Sequence, residues 1–306
     1  MIQQSAIPLF DEVVKGFDKL STSGNTGRES SDLRKTRQSA FDKFRLLGFP
    51  TIKNEDWKYT NIVRFLKDEY ALEATPLDIT PAIVRATIGG LESYRVTLVN
   101  GVWNGVIEGG PLPKGVELLS VAAARQDPAL SVYFEKADWG NHHFAALNTA
   151  LFTDGLFLRV DASVTVEKPL HIVHVFTADR NLLVQPRHVW VLQRNAGLSV
   201  IESVVSTEVP GAAGTVAGEG AGVKIWVNSY TEMVVHTDAR LDHAVIQTAG
   251  GGVRLVQHTT VRQKKQSLYN NYTFTLPGAD LVRNDLQARL EEDHTETHLY
   301  GLYLAA

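Results

Sequence analysis

Near Tyr94 the spacing of apolar residues changes. Before it they recur at helical intervals: Leu9, Val13, Phe17 and Leu20 form one stripe, and Leu33, Ala40, Phe41, Phe44 and Leu47 a second. After it the pattern alternates, as in Val223, Ile225 and Val227, or His298, Tyr300, Leu302 and Leu304. Such a chain is predicted to place an N-terminal helical region, residues 1–90, before a mainly β body, residues 91–306. A third early helix is expected at Thr80-Pro81, where a cap and a first-turn proline precede Ile83, Val84, Thr87 and Ile88. Ser21 to Ser31 reads as a flexible connection and Thr207 to Gly222 as a surface loop. Turns with Ala before an aliphatic residue recur at Asp161-Ala162-Ser163-Val164, Asn195-Ala196-Gly197-Leu198, Asp238-Ala239-Arg240-Leu241 and Gly278-Ala279-Asp280-Leu281. Their uneven spacing fits either stacked coils or the hairpins of a sandwich.

The second helical stripe stops at Gly48-Phe49-Pro50-Thr51, because Gly48 can take the left-handed closing turn and Pro50 blocks continuation. Glu55-Asp56-Trp57-Lys58-Tyr59-Thr60 follows. In an extended segment Trp57 and Tyr59 would share one face, opposite Asp56 and Lys58, so an aromatic pair docked on the preceding helix is expected. Trp57, Lys58 and Tyr59 are therefore read as a structural motif rather than as catalytic groups.

Several chemistries are excluded or lack support. With 44% hydrophobic residues the 306-residue chain can bury a substantial core. A net charge of -4 gives no broad drive toward nucleic acid or anionic lipid. No apolar run approaches the ~20 residues that span a bilayer, and the start Met1-Ile2-Gln3-Gln4 does not resemble a signal peptide, so a soluble cytoplasmic protein is expected. Zero cysteines rule out disulfides, thiol nucleophiles and thiolate-held zinc or iron-sulfur clusters within these residues. There is no Gly-Lys phosphate loop and no Gly-x-Ser-x-Gly elbow, and Gly218-Glu219-Gly220-Ala221-Gly222 has the wrong spacing for a dinucleotide site.

The histidines and charge runs have simple readings. His171 and His174 are three apart, which on a strand sends them to opposite faces. His294 and His298 would share a strand face but stand roughly 13 Å apart, too far for one ion. His142-His143 reads as loop. Glu291-Glu292-Asp293, after Arg289, is expected to be a polar turn, with the carboxylates of a β-helix carbohydrate-active enzyme as the alternative. Arg262, Lys264 and Lys265 read as a solvated face, and Asn271-Tyr272-Thr273 as a sequon without a secretory route.

The run from Gly48 to Thr60 resembles the N-terminal signature of the SufB/SufD family, on its SufD branch. Further matches follow in the family's order: Val99-Asn100-Gly101, Phe144 to Ala150 with Asp154-Gly155, Lys168-Pro169-Leu170, Arg283-Asn284-Asp285-Leu286, and Leu299 to Leu304. The resemblance implies a right-handed parallel β-helix core behind the N-terminal α-helical region. It also implies a non-catalytic scaffold subunit in a complex with the SufC ATPase and the SufB paralogue, or a SufD homodimer. No catalytic or cofactor-binding residue is implied. A cluster or iron would sit at an interface with SufB, its ligands unassigned, rather than on this chain alone. The alternating stretch Leu299 to Ala306 ends without a cap, so the β-helix is expected to be truncated there. The resemblance then covers the first two thirds to three quarters of the family pattern, short of the SufC-contacting helices. An aggregation-prone or edge-paired segment is expected on that account. A self-associating β-helix that ignores SufC is a third reading.

Overall fold

The computed structural model describes residues 7–22, 29–73, 79, 82–83, 86–136, 139–207 and 222–304. Helix α1, Pro8–Thr22, buries Leu9, Val13 and Phe17. Helix α2, Ser31–Leu47, opens where Ser30 Oγ accepts the Leu33 N–H, and ends where the Gly48 N–H, at φ 64°, bonds the Phe44 carbonyl. Both stripes thus form the expected helices. Ser21 and Thr22 belong to α1 rather than to a connection, and 23–28 lie outside the described residues. Of the third expected helix, Ala82, Ile83 and Ala86 are helical, whereas Thr80, Pro81 and Val84 are outside the described residues, as is most of Thr207 to Gly222.

Three expectations are corrected. Residues 55–57 form a single 3-10 turn, not an extended segment, so Trp57 and Tyr59 separate: Trp57 is 5% exposed and Tyr59 92%. A turn of three residues rotates neighbours to different sides, which the extended reading could not allow for. Strands also do not simply take over at Tyr94. After β1 (Tyr94–Val99), β2 (Val102–Trp103) and β3 (Val116–Ser120) come α3 (Val121–Ala124), α4 (Pro128–Glu135) and α5 (His143–Leu151). Every residue of α5 is buried, as its nearly all-round apolar and small composition, Phe144 to Leu151, allows. His143 opens this helix, so the pair His142-His143 is not simply loop.

The remaining strands are β4 (Gly155–Val160), β5 (Leu170–Phe176), β6 (Leu182–Val184), β7 (Arg187–Leu192), β8 (Gly197–Ser206), β9 (Ile225–Val235), β10 (Arg240–Gln247), β11 (Val253–Gln263), β12 (Leu268–Thr275), β13 (Leu281–Leu290) and β14 (Glu296–Tyr303). They form two sheets, ordered β14-β12-β10-β8-β5-β1-β2 and β13-β11-β9-β7-β4-β3. All these neighbours are parallel except β1 with β2 and β3 with β4. From β7 onward successive strands alternate between the sheets, and from β9 onward each pairs in register with the strand two before it: Gly197, Arg240, Leu268 and Glu296 form one row. This is a mixed fold, mostly strand, with N-terminal helices and parallel sheets stacked coil upon coil, and not a sandwich of hairpins.

The corner before the first sheet repeats closely. Ser163, Asn195, Asp238, Gln266 and His294 all have φ between 57° and 62°. Their N–H groups climb a ladder, Ser163 to Arg194 O, Asn195 to Thr237 O, Asp238 to Lys265 O and Gln266 to Asp293 O, at 2.9–3.1 Å. Three of the four Ala-bearing turns seen in the sequence lie on this ladder; Gly278 to Leu281 leads instead into β13 of the second sheet. The helices cover the outer face of the second sheet, where Phe41, Phe44, Trp57 and Phe144 join Trp226 and Val256 in one buried cluster.

Candidate functional site

Facing side chains of the two sheets fill the lumen. One apolar cluster gathers Leu158, Ile172, Trp190, Val200, Met233 and Leu241, and another gathers Phe176, Val204, Val227, Val245 and Leu255. Between them runs a polar seam of His174, His188, Glu202, His243, Tyr269 and Asn271, all buried. Register brings them together. Glu202 pairs with Ile172 on β5 and Val245 on β10, so His174, two residues after Ile172, and His243, two before Val245, reach it from opposite strand directions. His174 Nε2 lies 2.6 Å from Glu202 Oε2, and His243 Nε2 2.7 Å from Oε1. Burial pushes the Glu202 carboxyl up, but the hydrogen bonds from His174 and His243 outweigh it and hold the group well below the usual carboxylate range. Glu202 is thus an anion carrying one imidazole donor on each oxygen.

The outer nitrogens fix the tautomers. His243 Nδ1 faces Tyr269 Oη at 3.1 Å and the Asn271 amide at 3.2 Å, both able to donate, so its proton sits on Nε2 toward Glu202. His188 Nδ1 accepts the Leu156 N–H at 3.1 Å, which puts its proton on Nε2, an atom with no protein partner. Burial pushes the His188 imidazole down to about 3, so it is neutral. Beyond His243 a cavity of about 400 Å³ is lined by Ser229, Thr231, Gln257, Asn271, Thr273 and Asn284 among others. The seam can hold and relay a proton between Tyr269, His243 and Glu202. Among the described residues no group of three or more His, Asp or Glu side chains stands ready to hold a metal ion.

The residues singled out in the sequence act as pins elsewhere. Trp57 packs 5.3 Å from the Phe144 ring, and the Arg283 guanidinium lies 4.1 Å over its face, so three motifs far apart in sequence meet on one indole. Tyr59 is exposed and does not join Trp57 in docking on α2 as expected; Lys58 Nζ lies 5.6 Å from its ring. Asn148 of the Phe144 to Ala150 motif donates to the Pro186 and Asn228 carbonyls at 2.9 and 2.8 Å, tying α5 to β9 and to the link that leads into β7. Asp154 Oδ1 accepts the Ala122 N–H at 3.0 Å. Gly155 is at φ 150°, where an added Cβ would stand 1.7 Å from the Arg187 carbonyl oxygen. Asn100 exchanges two hydrogen bonds with the Thr177 backbone, at 2.8 and 3.0 Å.

His171 and His174 do face opposite sides: His171 points outward and meets Ser203 Oγ at 2.8 Å. His143 Nδ1 meets the Gly48 carbonyl at 2.7 Å. His294 lies in the corner turn, not on β14, so it shares no strand face with His298. Glu291, Glu292 and Asp293 form the expected polar turn, and the face read as solvated supplies their partners: Arg262 and Lys264 pair with Glu291 at 2.7 and 3.0 Å, and Lys264 with Glu292 at 3.3 Å. These partners hold Glu291 and Glu292 below the usual carboxylate range, as anions. Asn271 of the sequon is 5% exposed inside the lumen. Glu202, His188 and His243 were missed by sequence reasoning. The available signal was a charged or titratable residue at an inward position of an alternating strand, as in Leu241, His243 and Val245.

Comparison with known proteins agrees with this geometry. Residues 21–172 match the profile described as SufBD protein N-terminal region, and residues 174–306 the profile described as SUF system FeS cluster assembly, SufBD core domain. Over 287 residues the chain is 27% identical to a curated protein of Synechocystis sp. (strain ATCC 27184 / PCC 6803 / Kazusa) named iron-sulfur cluster assembly SufBD family protein slr0076. That match covers 92% of this chain and 62% of the relative, so the chain spans less than two thirds of the relative's length.

Proposed function

Since this chain belongs to the SufBD family, we propose that it is a non-catalytic, SufD-like scaffold subunit for iron-sulfur cluster assembly by the SUF system. The observation that carries the reading is the pair of adjoining SufBD profiles, which together run from residue 21 to residue 306. The SufD assignment draws on the signature ending Trp57-Lys58-Tyr59-Thr60 and on the zero cysteines, which deny this segment a thiolate ligand for a cluster. The stacked coils belong on this reading to a right-handed parallel β-helix, with the N-terminal helices as a region of their own. Partners are a SufC ATPase and a SufB paralogue, with a SufD homodimer as the variant assembly, in the cytoplasm. Cluster or iron is cargo, met at the interface with SufB.

The physical support is consistent. Motif residues tie helices to strands, as at Asn148 and Trp57. The carbohydrate-enzyme alternative loses its main support, because the acids near Asp293 are paired with Arg262 and Lys264. The test is co-expression of the complete gene product with SufB and SufC from the same source. Co-purification of all three supports the reading. A product that binds neither, or one that turns over oligosaccharide alone, overturns it.

A further inference from the structure

Another cavity, of about 320 Å³, lies where the helices meet the outer face of the second sheet. Residues of three recognised motifs line it: Glu55, Asp56 and Trp57, then Phe144 and Ala145, then Asp285. The lining presents both signs of charge. α5 opens here without a side-chain cap, and the His143, Phe144 and Ala145 N–H groups have no partner among the described residues, although the helix is buried throughout. Those amides and the helix dipole favour an anion. In the same lining Glu55 and Asp56 carry no ion pair among the described residues, whereas Asp285 is already matched by Arg283 at 2.8 Å. His143 adds an acceptor. It is 8% exposed, lines the cavity, and donates from Nδ1 to the Gly48 carbonyl at 2.7 Å, which leaves Nε2 as a bare lone pair. Burial pushes this imidazole below its ordinary 6.5, so it is neutral at pH 7.

We propose that this cavity binds one free α-amino acid as its zwitterion, the carboxylate on the amides that open α5 and the ammonium on Asp56 and His143 Nε2. The inference goes beyond the scaffold reading and does not rest on it. A simple anion would meet Glu55 and Asp56, and a simple cation would meet the positive end of α5. A ligand with both charges on neighbouring atoms satisfies both groups. Adjacent N–H groups at a helix start can share one carboxylate. An ammonium has three donors, enough for an imidazole lone pair and a carboxylate together. Lys43 donates to Asn141 on the rim at 2.8 Å and does not enter the lining. Leu47, Trp57 and Val256 give the ligand's side chain an apolar wall, in a volume at the small end of ligand pockets.

L-leucine is the probe, read by nitrogen–proton correlation spectra of the purified 306-residue chain. Saturable shifts of the Phe144 and Ala145 amides are expected, with a shift of His143 Nε2 in the imidazole region. Isocaproate, which lacks the ammonium, and isoamylamine, which lacks the carboxylate, should each bind about tenfold more weakly, the loss of one charge-assisted contact. Asp56→Asn should weaken L-leucine by a similar factor without weakening isocaproate, and Asp18→Asn, on α1, should change neither. No saturable shift at millimolar L-leucine overturns the proposal. So does equal binding of either analogue, which would make the cavity a helix-end anion site or an acidic cation site only. If Asp56→Asn fails to fold by far-UV circular dichroism, the two analogues on the unaltered chain decide alone.

Discussion

Replacing Trp57 by alanine separates burial from mere presence in a recognised signature. The indole is 5% exposed, lies 5.3 Å from Phe144, and carries Arg283 at 4.1 Å on its face. Truncating a buried Trp to Ala costs roughly 3–5 kcal/mol, the upper part reflecting a cavity that rigid neighbours cannot collapse. Phe144 is held in the fully buried α5, and Phe41 and Phe44 in α2, so little collapse is expected here. The lost cation-π contact adds about 0.5–2 kcal/mol, because Arg283 keeps its Asp285 partner. Tyr59→Ala is the internal control: at 92% exposure its change should stay within about 0.5 kcal/mol. Urea unfolding followed by tryptophan fluorescence and far-UV circular dichroism reads both, and amide exchange in α1 and α2 shows whether the loss is local. Equal effects of the two substitutions, or an unchanged midpoint for Trp57→Ala, would refute the argument that the 3-10 turn points Trp57 inward and Tyr59 out.

Other consequences are equally direct. Glu29 has a fully buried carboxylate taking Arg37 at 2.9 Å and Arg125 at 2.6 Å, so Glu29→Ala strands two buried guanidinium groups and should cost roughly 3–5 kcal/mol in chemical denaturation. Gly155→Ala drives a Cβ into the Arg187 carbonyl, and the expected result is loss of soluble folded protein, while Gly89→Ala, with open space around it, should express normally. Stability should fall with acid in two stages. Burial pushes His171 to about 4 and His188 to about 3, both below the ordinary 6.5; stability from their neutral forms is complete above 6.5 and is lost as pH drops toward those values. Glu202 is held below its ordinary 4.5, so its contribution is present above 4.5 and is lost only as pH falls further. Melting temperatures measured from pH 7 to pH 3 should show Glu202→Gln flattening the lower stage alone; flattening of the upper stage instead would contradict the assignment.

What the sequence revealed follows from how local each feature is. The stripes of α1 and α2, their caps at Ser30 and Gly48, and the corner turns at Asp161, Asn195 and Asp238 depend on neighbours a few residues away, and pattern finds them. Gln266 and His294 occupy the same left-handed corner without an alanine to mark it, so the repeat looked looser than it is. α5 was illegible because a helix buried on every side has no amphipathic period. The separation of Trp57 from Tyr59 was missed because a 3-10 turn leaves no signature distinct from a short strand. The lumen seam could not be read at all. Glu202 meets His174 and His243 at sequence separations of 28 and 41, set by coil length, and no local pattern encodes those distances.

The central claim is that this chain is a scaffold in a SUF-type assembly rather than an enzyme acting alone. The most direct test is size-exclusion chromatography with light scattering on the complete gene product mixed with SufB and SufC from the same source. The account predicts a single co-eluting species containing all three chains, whose amount falls when Trp57 is replaced and the N-terminal region loosens. Separate elution of a stable, folded product from SufB and SufC would contradict it.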